Sequence, residues 1–232
     1  MPKPLPAQSP ATGAGTFQAV LWDFGGVILS SPFEAFNRYE AELGLPRDFI
    51  RRVNAVDPDH NAWARMERAE IDLPRFAELF EAEARALGGE SAARISGRKL
   101  IELLHGEVRP EMVEALKRVR RRCRVACITN NMPGAREPSA SRPAQDAVRI
   151  AQVMALFEHV VESSKLNLRK PDPRIYLHAC ALLGVAPQAC VYLDDLGINC
   201  KPARALGMAT IKVDSAAQAL GELEALLGMS LR

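Results

Sequence analysis

The chain has 232 residues, 48% of them hydrophobic and 25% charged, and a formal net charge of +2. That is the make-up of a soluble globular protein with room for one large domain, or one domain and a lid. The near-balanced charge gives no electrostatic case for a nucleic-acid or membrane partner, and no apolar run is long enough to cross a bilayer.

Residues 1–16, "MPKPLPAQSPATGAGT", are rich in proline, alanine and glycine and lack an apolar core. They are expected to form a disordered tail rather than a signal peptide. After it, "FQAVLWDF" (Phe17 to Phe24) reads as a first strand that delivers Asp23 at its end, followed by a glycine turn, Gly25 and Gly26. Residues 32–105 then read as helical throughout. "PFEAFNRYEAELG", "PRDFIRRVNA", "NAWARMERAE" and "LPRFAELFEAEARALG" all carry apolar residues at helical spacing. An all-helical insertion after the first strand is expected to be a cap, with "SSP" and "HGEVRP" as connectors able to hinge.

"PEMVEALKRVRRR" opens the next helix with Pro110 at its start. The basic run "RVRRRCR" reads as its solvated end, cations lying near a helix C-terminus. Arg124 to Asn130 is the second strand, and "PGAREPSASRPAQ" a flexible loop. A helix "AQDAVRIAQVMALF" follows, then a strand at His159 to Glu162 and a helix "PRIYLHACALLG". Strands at Cys190 to Asp194 and Ala209 to Val213, then a last helix "SAAQALGELEALLG", complete the chain. The five cysteines, Cys123, Cys127, Cys180, Cys190 and Cys200, form no C-x-x-C pair. Free buried thiols in a reducing, cytoplasmic compartment are expected.

Nearly all-apolar strands alternating with helices predict an α/β fold, a doubly wound parallel sheet covered on both faces. The expected division is residues 17–31 and 106–232 for the core and 32–105 for the cap. In such sheets ligands bind beyond the carboxyl ends of the strands. Asp23 ends the first strand, and "ITNN" ends the second with Thr129 and Asn130. "SSKLNLRKPDP" follows the third with Lys165, Arg169 and Lys170, and "YLDD" ends the fourth with Asp194 and Asp195, Asn199 just beyond. Each alone could be an N-cap or a solvated turn. Together, in this order, they bring carboxylates, a hydroxyl and a cation to one edge.

Adjacent carboxylates repel unless they share a cation. Asp23, Asp194 and Asp195 thus point to a hard divalent ion with oxygen ligands, and Mg²⁺ fits. Thr129 can donate to a phosphate oxygen, Lys170 supplies a point charge, and Asp23 can attack phosphorus.

"DFGGV", "ITNN", "RKPDPRIY" and "YLDDLGINCKPARALGM" resemble the four motifs of the haloacid dehalogenase superfamily, with a helical cap in its first insertion position. Within it, "LDDLGINCKPARALGMATIKVDSAAQALGELEALLG" and "WARMERAEIDLPRF" are similar to the N-terminal phosphatase domain of soluble epoxide hydrolase. They also resemble the related domain fused to some acyl-CoA dehydrogenases. The resemblance implies that Asp23 is nucleophile and metal ligand. Thr129 and Lys170 bind phosphate, and Asn130 helps hold the phosphoryl oxygens. Asp195 is the main carboxylate ligand of Mg²⁺, with Asp194 beside it or one water away. Asn199 orients Lys170 or a metal-bound water. No G-x-S-x-G elbow is present, so epoxide opening is not implied.

The family's usual aspartate two residues after the nucleophile is Gly25 here. Its carbonyl can still bind the metal, but it cannot protonate the leaving oxygen, a function worth about 10²–10⁴-fold. Acyl, anomeric or aryl phosphates would suffer least, unless water or a cap residue such as His60, Glu67 or Asp72 takes the part. Asn167 stands where related sequences often carry glycine, at a turn that can need positive φ, which Asn tolerates.

Three functions are consistent with this pattern. One is a Mg²⁺-dependent phosphatase acting on a small phosphorylated metabolite or lipid phosphate, as monomer or homodimer. The second is a catalytically weakened relative that binds a phosphorylated ligand or a protein. The third is a 2-haloacid dehalogenase, which needs no metal and leaves the aspartate pair without a task. Trp22 and Trp63 are expected to pack in core and cap rather than carry substrate. His105, His159 and His178 are expected on the surface or on helices, not on a metal.

Overall fold

The computed structural model describes residues 17–133 and 144–232. The expected tail and most of the expected loop, residues 133–145, lie outside the described residues.

Strand β1 (Ala19–Trp22) is followed by five helices: α1 (Phe33–Leu43), α2 (Phe49–Val56), α3 (Ala62–Glu67), α4 (Leu73–Gly88) and α5 (Gly97–Leu103). Helix α6 (Pro110–Val119) leads into β2 (Arg124–Thr129). Then come α7 (Ala144–Met154), β3 (His159–Glu162), the single turn α8 (Ser163–Leu166) and α9 (Pro173–Leu183). Strand β4 (Cys190–Asp194), α10 (Gly197–Ala205), β5 (Ala209–Lys212) and α11 (Ala216–Leu227) end the fold. The expected strands are thus present, with the first, second and fifth shorter than their apolar runs. Helix α10 was not among the expected elements, because Pro202 interrupts its pattern.

The strands form one parallel sheet in the order β3-β2-β1-β4-β5. Alternate strand residues face opposite sides, so each face has its own apolar layer. Val20, Trp22, Val125, Cys127 and Leu193 pack on α6, α7 and α11. Leu21, Ala126, Ile128 and Tyr192 pack on α9 and α10. Trp22 is fully buried in the first layer, as expected of a packing residue.

Helices α1–α5 enclose a third cluster built on Phe36, Phe49, Ile50, Phe76, Phe80 and Leu100. Their ends follow local rules. Asn61 caps α3 by accepting from the Ala64 N–H at 2.8 Å, and Asp72 caps α4 through the Arg75 N–H at 2.9 Å. The chain enters and leaves this helical body at one point. Leu29 bridges Val108 in antiparallel fashion, and the Ser30 N–H donates to the Glu107 carbonyl at 2.8 Å.

Asn167 takes up φ 51° after α8, the left-handed position expected for it. Cys127, Cys180, Cys190 and Cys200 are buried and outside any disulfide, and Cys123 is half-buried. Among the described residues no helix is long and apolar enough to cross a membrane.

Candidate active site

Because the sheet is parallel, the carboxyl ends of all its strands lie along one edge. Asp23 follows β1, Thr129 closes β2, and Asp194 closes β4 with Asp195 next to it. All four sit at a cavity of about 680 Å³ or directly beneath it. Lys170 arrives from the loop after α8 and is almost fully enclosed, at 1% exposure.

The Lys170 Nζ lies 2.8 Å from Asp23 Oδ1 and 2.8 Å from Asp194 Oδ2. Burial by itself would lower this ammonium's pKa, but Asp194 and Asp23 outweigh it and raise it, so Lys170 is charged. Asp194 is surrounded by further donors. The Leu196 N–H reaches its Oδ1 at 2.8 Å, the Asn199 amide reaches both oxygens at 3.1 Å, and the Tyr192 hydroxyl donates to Oδ2. Tyr176 in turn donates to the Asn199 carbonyl at 2.8 Å. Asn199 therefore acts on Lys170 through Asp194.

Asp23 and Asp195 are less well served. Asp23 accepts from Lys170 and from the Phe24 N–H at 2.6 Å. Burial pushes its carboxyl well above the usual range. Lys170 opposes that shift, and Asp194 and Asp195 add to it. Asp195 accepts a long bond from the Ser31 hydroxyl at 3.4 Å. Burial, and then Asp194, push its carboxyl up to about 6, against the pull of Lys170 and Ser31.

Oxygens of Asp23, Asp194 and Asp195 lie within 4.8 Å of one another. Three carboxylates with a single ammonium leave uncompensated negative charge, and this repulsion adds to burial in raising the pKa values of Asp23 and Asp195. An all-oxygen donor set with this excess charge fits a hard divalent cation such as Mg²⁺.

The two glycines after Asp23 differ. Gly26 has φ 76°, and a Cβ there would overlap the Asp195 carboxylate, so close approach of the two loops requires glycine. A Cβ on Gly25 would meet nothing within 4 Å. Position 25 faces open space in the cavity and has room for a side chain.

The Asn130 side chain is turned to the protein. Its Oδ1 accepts the Lys170 N–H at 2.8 Å, and its Nδ2 donates to the Lys170 carbonyl at 3.0 Å and to Glu67 at 3.2 Å. Of the three cap residues considered for the missing acid, Glu67 alone lines the cavity. His60 is exposed and pairs with Asp57, and Asp72 is occupied as the cap of α4. Trp63 does both things weighed for it: it packs edge-on against Phe36, Phe76 and Phe80 and also lines the cavity. His178 is exposed on α9 and His159 half-buried on β3, whereas His105 lines the cavity. Tyr192, Tyr176 and Ser31 escaped the sequence reading. For Tyr192 there was a signal, since a residue two before Asp194 in a strand shares its face.

Residues 17–207 match the haloacid dehalogenase-like hydrolases. The chain belongs to that family. Among curated haloacid dehalogenase-like relatives, it is 31% identical over 225 residues to mouse acyl-CoA dehydrogenase family member 10, covering 95% of this chain and 20% of that protein. It is 30% identical over 222 residues to pig bifunctional epoxide hydrolase 2, covering 92% and 39%. The chain thus spans well under half the length of these two relatives. A phosphatase of Mycobacterium tuberculosis is 28% identical over 207 residues, with 88% and 90% covered.

Solved structures share the fold. A family enzyme of Bacteroides thetaiotaomicron in complex with magnesium and inorganic phosphate superposes with a TM-score of 0.56 at 18% identity, covering 90% of this chain and 99% of that one. A dehalogenase with an intermediate complex gives 0.62 at 19%, covering 93% and 99%.

Proposed function

We propose that the protein is a Mg²⁺-dependent phosphatase that works through an aspartyl-phosphate on Asp23. The observation that carries this reading is the cluster of Asp23, Asp194 and Asp195 around one buried lysine. A dehalogenase attacking carbon has no use for so much negative charge. The phosphatase relative and the neighbour crystallised with magnesium and phosphate support the same reading.

Asp195, Asp23 and the Gly25 carbonyl would hold Mg²⁺, with Asp194 beside them. When bound, the ion screens the carboxylates and the phosphoryl oxygens from one another. Lys170 favours the ionised form of Asp23, as the bound ion would, and places it for attack. Asp23 forms a bond to phosphorus as the ester P–O bond breaks. Water then attacks phosphorus, inorganic phosphate leaves, and the carboxylate is restored. Thr129 donates to a phosphoryl oxygen, and Asn130 contributes by fixing the Lys170 backbone beside it.

With Gly25 in place of an acid, the leaving oxygen draws its proton from water, which favours aryl, acyl or anomeric phosphates. The cavity wall above the carboxylates is largely apolar, with Phe24, Phe33, Phe36, Trp63, Leu104 and Ile198. That suits a small phosphorylated metabolite or a lipid phosphate with an apolar body. The helical body, residues 32–105, serves as the cap and supplies about half of the cavity lining, including Phe33, Phe36, Trp63 and Leu104. The open space at Gly25 also favours a second reading, a weakened enzyme that mainly binds a phosphorylated ligand.

Hydrolysis of p-nitrophenyl phosphate with and without Mg²⁺ tests the reading. Turnover is expected with Mg²⁺ alone, and Asp23→Asn should lower it by about 10⁴-fold or more. Metal-independent turnover, or turnover that survives the substitution, overturns it.

A further inference from the structure

Glu67 ends α3 in the helical body, yet its polar atoms are engaged with the core. It is buried, and its carboxylate takes three donors. Oε1 accepts from the Trp63 indole at 3.0 Å, and Oε2 accepts from Arg169 Nε at 2.6 Å and from Asn130 Nδ2 at 3.2 Å. Its backbone carbonyl accepts from the buried Ser163 hydroxyl at 2.6 Å. Arg169 extends the junction by donating to the Pro58 carbonyl at 3.0 Å. With both oxygens committed to these donors, Glu67 is poorly suited to replace the acid missing at Gly25.

We infer that Glu67 is a positioning residue that holds Lys170 in place from the helical body. The connection is continuous. Glu67 takes one Asn130 Nδ2 hydrogen, and the same amide clasps both backbone groups of Lys170. Lys170 in turn holds Asp23 and Asp194. The Lys170 peptide groups by themselves select which end of the Asn130 amide faces them. Glu67 restrains the amide's remaining swing and ties the neighbouring residue, Arg169, to the same carboxylate. Separation of α3 from the core breaks the Glu67 contacts to Asn130, Arg169 and Ser163 together, so docking of the helical body steadies the residues that place the lysine.

A carboxylate can accept all three side-chain donors, whereas an amide has one acceptor oxygen. Glu67→Gln therefore sets a donor against a donor whichever way it turns. Two measurements test the inference. The kinetic one rests on the phosphatase reading above; the other does not. In p-nitrophenyl phosphate hydrolysis with Mg²⁺, Glu67→Gln should lower kcat by about 10–100-fold, the usual cost of removing an orienting partner. Glu67→Asp should recover part of the loss, and Glu70→Gln, an exposed neighbour, should change nothing. In the Asn130→Ala background Glu67→Gln can act on Lys170 only through Arg169, so the further loss on adding it should be smaller than in the wild-type background. Losses that multiply overturn the inference.

Independently, hydrogen exchange of the Lys170 amide should quicken at least about tenfold in Glu67→Gln relative to its own core amides in β1 and β4. Unchanged exchange overturns the inference even if activity falls. Quickened exchange in a protein with no phosphatase activity upholds it and overturns the phosphatase reading instead. Should Glu67→Gln fail to fold, Arg169→Gln breaks the same contact from the other side and must give the same exchange result.

Discussion

Asp194, at the end of β4, is surrounded by Tyr192, Leu196, Asn199 and Lys170, whereas Asp23, after β1, has one backbone N–H and a share of the same lysine. The first arrangement fixes a charge and holds it still. The second leaves a charge under tension, with Gly25 open on the cavity side. Asp195, next to the fixed charge in sequence, belongs with the second group because Ser31 is a distant partner. Neighbouring carboxylates thus divide into an anchor, Asp194, and two groups with coordination to spare, Asp23 and Asp195. A rigid anchor lets the reactive pair remain poorly compensated without loss of geometry.

The largest break in this contrast comes from the shared cation. Lys170→Met strands two buried carboxylates and should cost about 3–5 kcal/mol of stability. It should also lower turnover of p-nitrophenyl phosphate by about 10²–10³-fold. Chemical denaturation and kinetics at saturating Mg²⁺ check both, and a loss of stability without loss of rate would detach Lys170 from the chemistry.

The adjacent glycines give the next test. Gly25→Asp has room, and it should raise turnover of alkyl phosphates by about tenfold or more, within the range of general acid catalysis, with a smaller gain for aryl phosphates. Equal gains would show that another group already supplies the proton. Gly26→Ala should instead cost about 1–3 kcal/mol, through positive φ and overlap with Asp195, while Gly25→Ala stays near neutral.

The smallest effect is on pH dependence in protein stripped of metal. Folded Asp195 holds its proton up to about 6, whereas the unfolded carboxyl releases it near 4. Between those values the folded state binds more protons, so stability falls as pH rises through that window. Asp23, raised in the same direction, adds to the slope. Asp195→Asn should flatten part of it, as read from denaturation midpoints across pH 4 to 7. A slope unchanged, or steepened, in Asp195→Asn would mean that Asp195 is better compensated than its surroundings imply.

The central strands β1, β2 and β4 were legible because they are buried on both faces and read as nearly unbroken apolar runs. The polar residues that close them were legible for the same reason, as Asp23, Thr129 and Asp194 stand out against Leu21, Ile128 and Leu193. Asn167 was readable as a left-handed position because related sequences often carry glycine there and Asn tolerates positive φ. The difference between Asp194 and Asp195 was not readable. It arises because successive residues at a strand end point to opposite sides, and only the folded sheet shows which side holds Lys170. The Glu67–Asn130–Arg169 junction was equally hidden, since it joins residues 63 and 102 positions apart. Glu67 was noticed as a cap carboxylate, but nothing local distinguishes an acid facing substrate from one clamped by arginine.

The bridge between Leu29 and Val108 bears on how such a protein can change. It brings the two ends of a long excursion together, so the sheet meets a short antiparallel joint whatever lies between them. Loop-closure entropy grows by only about 0.6 kcal/mol per doubling of length. The register of β1 against β2 and β4 is therefore nearly indifferent to the size of the insert. The helical wall of the cavity can be lengthened, trimmed or exchanged as a cassette while Asp23, Asp194 and Asp195 keep their places. Such an exchange must supply new contacts for Asn130, Arg169 and Ser163 where Glu67 now sits.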